Sequence, residues 1–274
     1  MSLLSIQGAS FSYVKDSESI FQDIAFEVDQ GQVFCLLGPN GCGKTTLLDC
    51  ILGLNRLRQG RIMIQGKDLS KFPSGQIARH VAYVPQHHQG TFPYTVLEMV
   101  KMGRAAYTGR FSSPAAEDKR IAKEALAKVG FSHLRHRPFT QLSGGESQLV
   151  LVARALAQKT TIIIMDEPTA HLDFRHEMVV METIVDLVKT EDVSVIMATH
   201  FPNHVFYFEN QGTPVTCALM HNKGFLALGQ AGQVLSEANM QTLYGVNTRL
   251  VNLPWDNHRQ LKHLIPVSTM GMEE

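Results

Sequence analysis

The alternation of apolar and polar positions along the chain gives its first outline. Leu3 to Phe11 and Ile24 to Val28 read as strands, with turns at Gly8 and at Asp29-Gln30-Gly31. Val33-Phe34-Cys35-Leu36-Leu37 is an unbroken apolar run, the pattern of a strand buried on both faces, and Thr45 to Leu54 reads as the helix that follows it. Arg61 to Ile64 with Gln65-Gly66 reads as a strand and turn, and Val81 to Val84 as a short strand ending at Pro85-Gln86. Helical spacing then takes over in Thr95 to Gly103 and in Pro114 to Val129. The second stretch carries Glu117-Asp118 in its first turn, where carboxylates complement the helix dipole. From Thr160 short apolar runs return at Ile162-Ile163-Ile164-Met165 and at Val193 to Ala198, with the amphipathic stretch Phe174 to Lys189 between them. Strand, helix, strand in this order predicts a right-handed crossover in a parallel sheet. The helical stretch from about Thr95 to Gln158 therefore interrupts an α/β core. The residues from about Val246 to Glu274 are broken by prolines, methionines and Trp255, and read only as a C-terminal extension. The chain has no internal repeat and no low-complexity segment.

Composition narrows the classes. A chain of 274 residues can bury one large core, or one core with a subdomain. Its 25 basic residues balance its 25 acidic ones, so it lacks the electrostatic footprint of non-specific nucleic-acid binding. No apolar run approaches the roughly 18 residues of a membrane span, and Met1 to Gln7 has no basic stretch leading into an apolar one. Neither a bilayer crossing nor export is expected. Cys35, Cys42, Cys50 and Cys217 form no C-x-x-C pair, which suits reduced thiols in a cytoplasmic setting. The histidine pairs His87-His88, His133 with His136, and His200 with His204 lack a cysteine or carboxylate to complete a ligand set, so solvated or capping roles are expected for them, His200 excepted.

Three motifs carry chemistry. Gly38-Pro39-Asn40-Gly41-Cys42-Gly43-Lys44-Thr45 matches the phosphate-binding pattern of two glycines, lysine and a hydroxyl residue. In such a turn successive backbone N–H groups point at phosphate oxygens and the following helix adds its positive end. Lys44 is placed to reach the β- and γ-phosphates of a nucleotide, and Thr45 to ligate Mg²⁺. A chance match in a glycine-rich loop is the alternative, and the apolar strand before it and the helix after it argue against that. Asp166 closes a buried strand, where the metal of a phosphate loop needs an anchor, and Glu167 stands where it can orient or deprotonate water. An acidic turn before Pro168 is the plainer reading. Leu142-Ser143-Gly144-Gly145-Glu146 offers Ser143 as the cap of a helix from Glu146 to Ala157, with two bare glycine amides as a second anion site. On its own it reads as a flexible loop.

Together these motifs resemble the ATP-binding subunit of ABC transporters over nearly the whole chain up to about Val246. The resemblance implies a P-loop NTPase fold of class α/β, with a mostly parallel sheet, an N-terminal antiparallel β subdomain and an inserted helical subdomain over about 87–158. The ATP-binding domain then spans 1–246 and the extension 247–274. Gly38 to Thr45 corresponds to the Walker A loop, with Thr46 beside it, and Ile162 to Asp166 to Walker B. Glu167 corresponds to the catalytic carboxylate and Leu142 to Glu146 to the LSGGQ signature. Gln86 fits the Q-loop, where it senses Mg²⁺ and the attacking water. His171-Leu172-Asp173 fits the D-loop, Thr199-His200 the switch histidine, and Tyr13 the aromatic that stacks on adenine, with a core-packed strand aromatic as its alternative and Phe11 as its competitor. Glu146 departs from the commoner Gln, and Ser147 from a frequent basic residue.

In that family two copies close head to tail, so that Ser143, Gly144 and Gly145 grip ATP held by the partner's phosphate loop, while His200 contacts the γ-phosphate in its own subunit. Val84 to His88, Phe92 to Leu97 and Met102-Gly103-Arg104 look most like the metal-chelate importer group, as do His171 to Asp173 and Leu243 to Val246. That group takes up siderophores, haem, cobalamin or metal oxyanions. The implied partners are a second copy, two membrane permease subunits meeting the stretch from Phe92 to Arg104, and indirectly a binding protein, at the cytoplasmic face of the membrane. The bland reading of Phe92, Tyr94 and Met102 is helical-subdomain core. A soluble ABC ATPase of repair or translation is the alternative, against which stand the absence of sustained heptads, the single cassette and the balanced charge. A small-molecule P-loop kinase fits neither Leu142 to Gly145 nor His200.

Overall fold

A computed structural model of the chain describes residues 2–14, 17–73, 75–86, 92–107, 115–170, 172–255 and 260–269. In chain order come strands β1 (Leu4–Phe11), β2 (Phe21–Val28) and β3 (Val33–Leu37), helix α1 (Lys44–Ile51), and strands β4 (Gln59–Ile64), β5 (Lys67–Asp68) and β6 (Val81–Val84). Helices α2 (Val96–Lys101), α3 (Ala116–Lys128) and α4 (Gly144–Ala157), strand β7 (Ile162–Asp166) and helix α5 (Phe174–Glu191) follow. The chain ends with β8 (Ser194–Thr199), α6 (Asn203–Asn210), β9 (Val215–His221), β10 (Gly224–Gly229), α7 (Ala231–Val234), α8 (Glu237–Tyr244), β11 (Val246–Pro254) and β12 (Gln260–Thr269). These elements gather into two compact units, Met1–Lys71 with Ile196–Glu274, and Phe72–Val195.

In the first unit β2, β1, β4 and β5 form an antiparallel sheet. Along β2 the residues Phe21, Ile24, Phe26 and Val28 are buried while Gln22, Asp23, Ala25 and Glu27 face solvent, as a sheet covered on one side requires. Every residue of β3 is buried, and β3 pairs in parallel with β9 from Val33↔Val215 to Leu37↔Leu219. Phe26 stacks on Phe34 with ring centroids 4.3 Å apart, joining the antiparallel sheet to β3. This is the expected α/β class, with the parallel pairs β3/β9 and β6/β7 and an antiparallel N-terminal sheet.

The residues read only as an extension hold a regular hairpin. β11 and β12 pair antiparallel from Val246↔Thr269 to Pro254↔Gln260. Pro266 sits opposite Thr248, beside the register shift between Asn247 and Thr248, a place where a missing N–H does least harm. Two side chains of α6 hold this hairpin. Asn203 donates through Nδ2 to the Leu264 carbonyl (3.0 Å) and accepts the Leu264 N–H at Oδ1 (2.8 Å). Asn210, two helical turns on, repeats the pair with Lys262 at 3.0 Å in each direction.

In the second unit β6 and β7 pair in parallel, Val81↔Ile162 to Val84↔Met165. Helices α2, α3 and α4 pack on one another, and α4 buries Leu149 to Ala153 with Ala155 and Ala157. Arg104 ties the group: its Nε donates to Asp118 Oδ1 at 3.0 Å and its Nη1 to the Ala157 carbonyl at 3.0 Å. α4 begins at Gly144, two residues before the expected Glu146, because the Ser143 cap already orders the glycines. α1 ends at Ile51 rather than Leu54, and α2 stops at Lys101 and continues as a 3₁₀ turn through Met102–Arg104. α3 runs from Ala116 to Lys128; Pro114 lies outside the described residues.

The two asparagine clasps differ in surroundings, since Leu264 is buried and Lys262 is partly exposed. Asn203→Ala strands buried backbone groups and is expected to destabilise by about 1–3 kcal/mol, whereas water replaces much of what Asn210→Ala removes, for a loss below about 1 kcal/mol. Urea unfolding with hydrogen exchange at the Leu264 amide checks this, and the reverse ranking would refute it.

Candidate functional site

In the first unit β3 delivers the glycine-rich loop and the neighbouring β8 delivers His200. The loop tip, Asn40 and Gly41, is exposed, while Gly38 is buried and Pro39, Cys42 and Gly43 are partly so. Two constraints explain the glycines. Gly43 has φ 104°, a conformation that L side chains rarely adopt. A Cβ on Gly38 would meet Cys42 Sγ at 2.6 Å and the Met220 carbonyl oxygen at 2.7 Å. Lys44, only 5% exposed, lies across the loop and donates from Nζ to the carbonyls of Gly38 (2.7 Å) and Pro39 (3.2 Å). The loop thus places a fixed ammonium and glycine-rich backbone at the start of α1, an arrangement that fits a polyphosphate. Thr45 is exposed in the first turn of that helix, and Thr46 is buried.

Tyr13 lies just beyond β1 and is 60% exposed, whereas Phe11 is buried. The core-packed alternative therefore does not hold for Tyr13. Its hydroxyl is 3.1 Å from Thr46 Oγ1 and its ring stands edge-on to Phe11 at 5.0 Å. Arg58 fixes the segment by donating to the carbonyls of Ser12 and Tyr13, each at 3.1 Å. After β8, Thr199 Oγ1 accepts the Phe201 N–H (3.1 Å) and pairs with His204 Nδ1 (2.9 Å). His204 is thus buried and bonded to Thr199, in place of the solvated or capping role expected of it.

In the second unit the parallel register of β6 and β7 brings their ends together. Gln86 Nε2 donates to Glu167 Oε2 at 3.0 Å, linking residues 81 positions apart. Asp166 is buried at the end of β7. Glu167 has φ 45°, an uncommon conformation for a side-chain-bearing residue, and such strain clusters where geometry serves function. Gln148 of α4 donates to the Pro85 carbonyl at 3.3 Å, which ties α4 to the strand end carrying Gln86.

At the start of α4 a reciprocal cap forms. Glu146 N–H donates to Ser143 Oγ (3.2 Å) and Ser143 N–H to Glu146 Oε2 (2.8 Å). The departure from Gln therefore keeps the helix cap, and Arg137 Nη1 stands 3.7 Å from Glu146 Oε1. Ser147 Oγ donates to the Gly144 carbonyl at 2.8 Å, a local bond in place of a basic side chain's reach. Ser143 and Gly144 are exposed and Gly145 is buried. Asp173 caps α5, accepting the His176 N–H at 2.9 Å. His171, with His87 and His88, lies outside the described residues. His176 escaped the motif reading, although its i+3 spacing from a capping Asp marks it. Phe92, Tyr94 and Met102 are 62%, 41% and 40% exposed, so none of them is core.

The four cysteines are unbridged thiols, and burial pushes those of Cys50 and Cys217 up to about 12. Among the described residues no helix is long and apolar enough to cross a membrane.

The family model described as ABC transporter matches residues 21–170. An uncharacterized ABC transporter ATP-binding protein of Haemophilus influenzae is 37% identical over 256 residues, 93% of this chain and 94% of the relative. The molybdate import ATP-binding protein MolC of the same organism is 34% identical over 241 residues, 88% of this chain and 87% of MolC. A solved chain from an inward-facing ABC transporter, provisionally classed as metal-chelate type, aligns with TM-score 0.84 and 31% identity, covering 97% of this chain and 98% of the other.

Gly38→Ala is expected to weaken binding of a fluorescent ATP analogue roughly tenfold or more, a loss of about 1.4 kcal/mol. Adding Cys42→Ala is not expected to restore it, because the Met220 carbonyl remains in the way. Unchanged affinity in Gly38→Ala would show that the loop widens freely.

Proposed function

The chain belongs to the ABC transporter family and is an ATPase of that family, and from that premise we propose that it is the energy-coupling subunit of an importer for a metal chelate, siderophore, haem, cobalamin or metal oxyanion. One observation carries the mechanism: a single chain presents two glycine-bearing helix starts, the loop before α1 and the exposed Ser143-Gly144 start of α4. Two such motifs are accounted for if each copy holds ATP in its own loop and offers its signature turn to the ATP of a second copy.

Within one copy Lys44 and the amides from Gly41 to Thr45 hold the β- and γ-phosphates, and Tyr13 lies against adenine. Thr45, Asp166 and Gln86 would hold Mg²⁺, which when bound would neutralise charge on the phosphate oxygens. Glu167, oriented by the Gln86 amide, accepts the proton of the attacking water. His200 contacts the γ-phosphate, and Asp173 stands at the seam between the copies. Cleavage opens the pair.

The importer assignment draws on the similarity to MolC and to the chain of the metal-chelate type transporter. Exposed Phe92, Tyr94 and Met102 support a permease-docking face on the stretch through Arg104, with the subunit peripheral on the cytoplasmic side of the membrane. A binding protein delivers the cargo to the permease, and no nucleic acid takes part.

Glu167→Gln keeps the hydrogen-bonding shape but cannot take a proton. It is expected to lower steady-state hydrolysis at least about a hundredfold, the scale of a lost general base, and to trap an ATP-bound dimer on size exclusion. Full turnover in that variant would remove Glu167 from its role. Ser143→Arg is expected to leave ATP binding to the isolated subunit intact while hydrolysis collapses. Parallel loss of both would sink the two-copy sandwich.

A further inference from the structure

His176, one turn into α5, touches both ends of a junction inside the second unit. A Cβ on Gly145 would lie 2.5 Å from His176 Cγ, 2.8 Å from Nδ1 and 2.9 Å from Cδ2, so the imidazole face is seated directly on the Gly145 backbone. At its edge the ring's Nδ1 is 2.7 Å from Asp173 Oδ2, and the His176 backbone N–H donates to Oδ1 at 2.9 Å. A carboxylate only accepts, so Nδ1 carries the proton in this bond. One residue thus engages both oxygens of Asp173 while packing against the signature turn. The two donors, backbone first and ring second, hold the Asp173 carboxyl below the usual carboxylate range, so it stays ionised.

Resting on the two-copy sandwich, we propose that His176 is a positioning residue that keeps the signature turn at Gly145 and the seam residue Asp173 in register. A helix cap alone requires only the backbone N–H, and a filler requires no ring N–H. A flat ring clamped by glycine on its face and by a carboxylate at its edge transmits displacement between the first turns of α4 and α5. Misplacing a binding group by 1 Å can cost about a hundredfold in rate, so loss of this clamp acts on turnover before it acts on affinity.

The test compares His176→Ala, His176→Leu and His176→Asn in the full chain. Asn supplies a planar amide with a donor near the Nδ1 position, whereas Leu fills the space without one. Ala and Leu are expected to lower kcat roughly tenfold, with KM for ATP and nucleotide affinity of the isolated subunit within about twofold of the parent. Asn is expected to stay within about threefold of the parent kcat. Parent-like turnover in the Leu variant, or affinity falling in step with rate, overturns the proposal, and the Leu–Asn comparison decides it even if Ala fails to fold. Ser143→Arg runs alongside. Undiminished turnover there removes the sandwich and this inference with it, whereas an inactive Ser143→Arg beside a fully active His176→Leu removes only the role of His176.

Discussion

The buried ammonium of Lys44, held by the carbonyls of its own loop, is the interaction on which the rest of the structure depends. Burying a lone cation is unfavourable by several kcal/mol unless dipoles face it. The loop meets that need by turning the Gly38 and Pro39 carbonyls toward Nζ. Its turn carries left-handed backbone at Gly41 and Gly43, and Gly38 lies so close to Met220 that a methyl group does not fit. The surrounding architecture serves this geometry. β3 is buried along its whole length and locked to β9 residue by residue, so the loop leaves a rigid edge. Preorganisation of this kind moves the entropic penalty of ordering the loop from the moment of binding to the moment of folding.

The second unit solves a related problem with opposite charge. Glu167 sits in left-handed backbone at the end of β7, and such a conformation persists only where neighbours over-determine it. The parallel register with β6 is one such neighbour, because it fixes where Gln86 ends and hence the amide that Glu167 accepts from. A further tie runs from Gln148 to the Pro85 carbonyl, so α4 bears on the same strand end from the far side of its cap. Strand register, helix packing and a carboxylate's direction are in this way one constraint rather than three.

Much of this was readable in advance wherever periodicity and burial coincide. Val33 to Leu37 and Val81 to Val84 are strands to the residue, because continuous apolar runs of that length suit a two-sided core. The glycine spacing likewise announced the loop, since few other functions require that backbone. The C-terminal hairpin was not readable. Its strands owe their place to Asn203 and Asn210, long-range partners that local pattern does not reveal, and Pro266 breaks the alternation at the point where a register shift tolerates it. Tyr13 belongs to the legible part: the strand pattern ended at Phe11, and the chain does leave β1 there and turns the tyrosine outward. His204 shows the converse, a polar residue buried because Thr199 stands five residues back to satisfy it.

Glu146 raises the remaining physical question, because a carboxylate beside the turn proposed to grip phosphate ought to oppose it. Two features reduce that opposition. Its Oε2 is committed to the Ser143 N–H, so its lone pairs point back along the cap rather than toward the exposed Gly144 amide. Arg137 stands near its Oε1, and both side chains are partly exposed, so solvent screens what the arginine does not. A solvent-exposed charge pair is worth about 1 kcal/mol or less, and the repulsion left over is of that order. Against it stands the reciprocal cap itself, which orders Ser143 and both glycines whether the acceptor is an amide or a carboxylate. The position therefore selects for an oxygen that reaches back to Ser143, and its charge is a secondary property that the local fold absorbs.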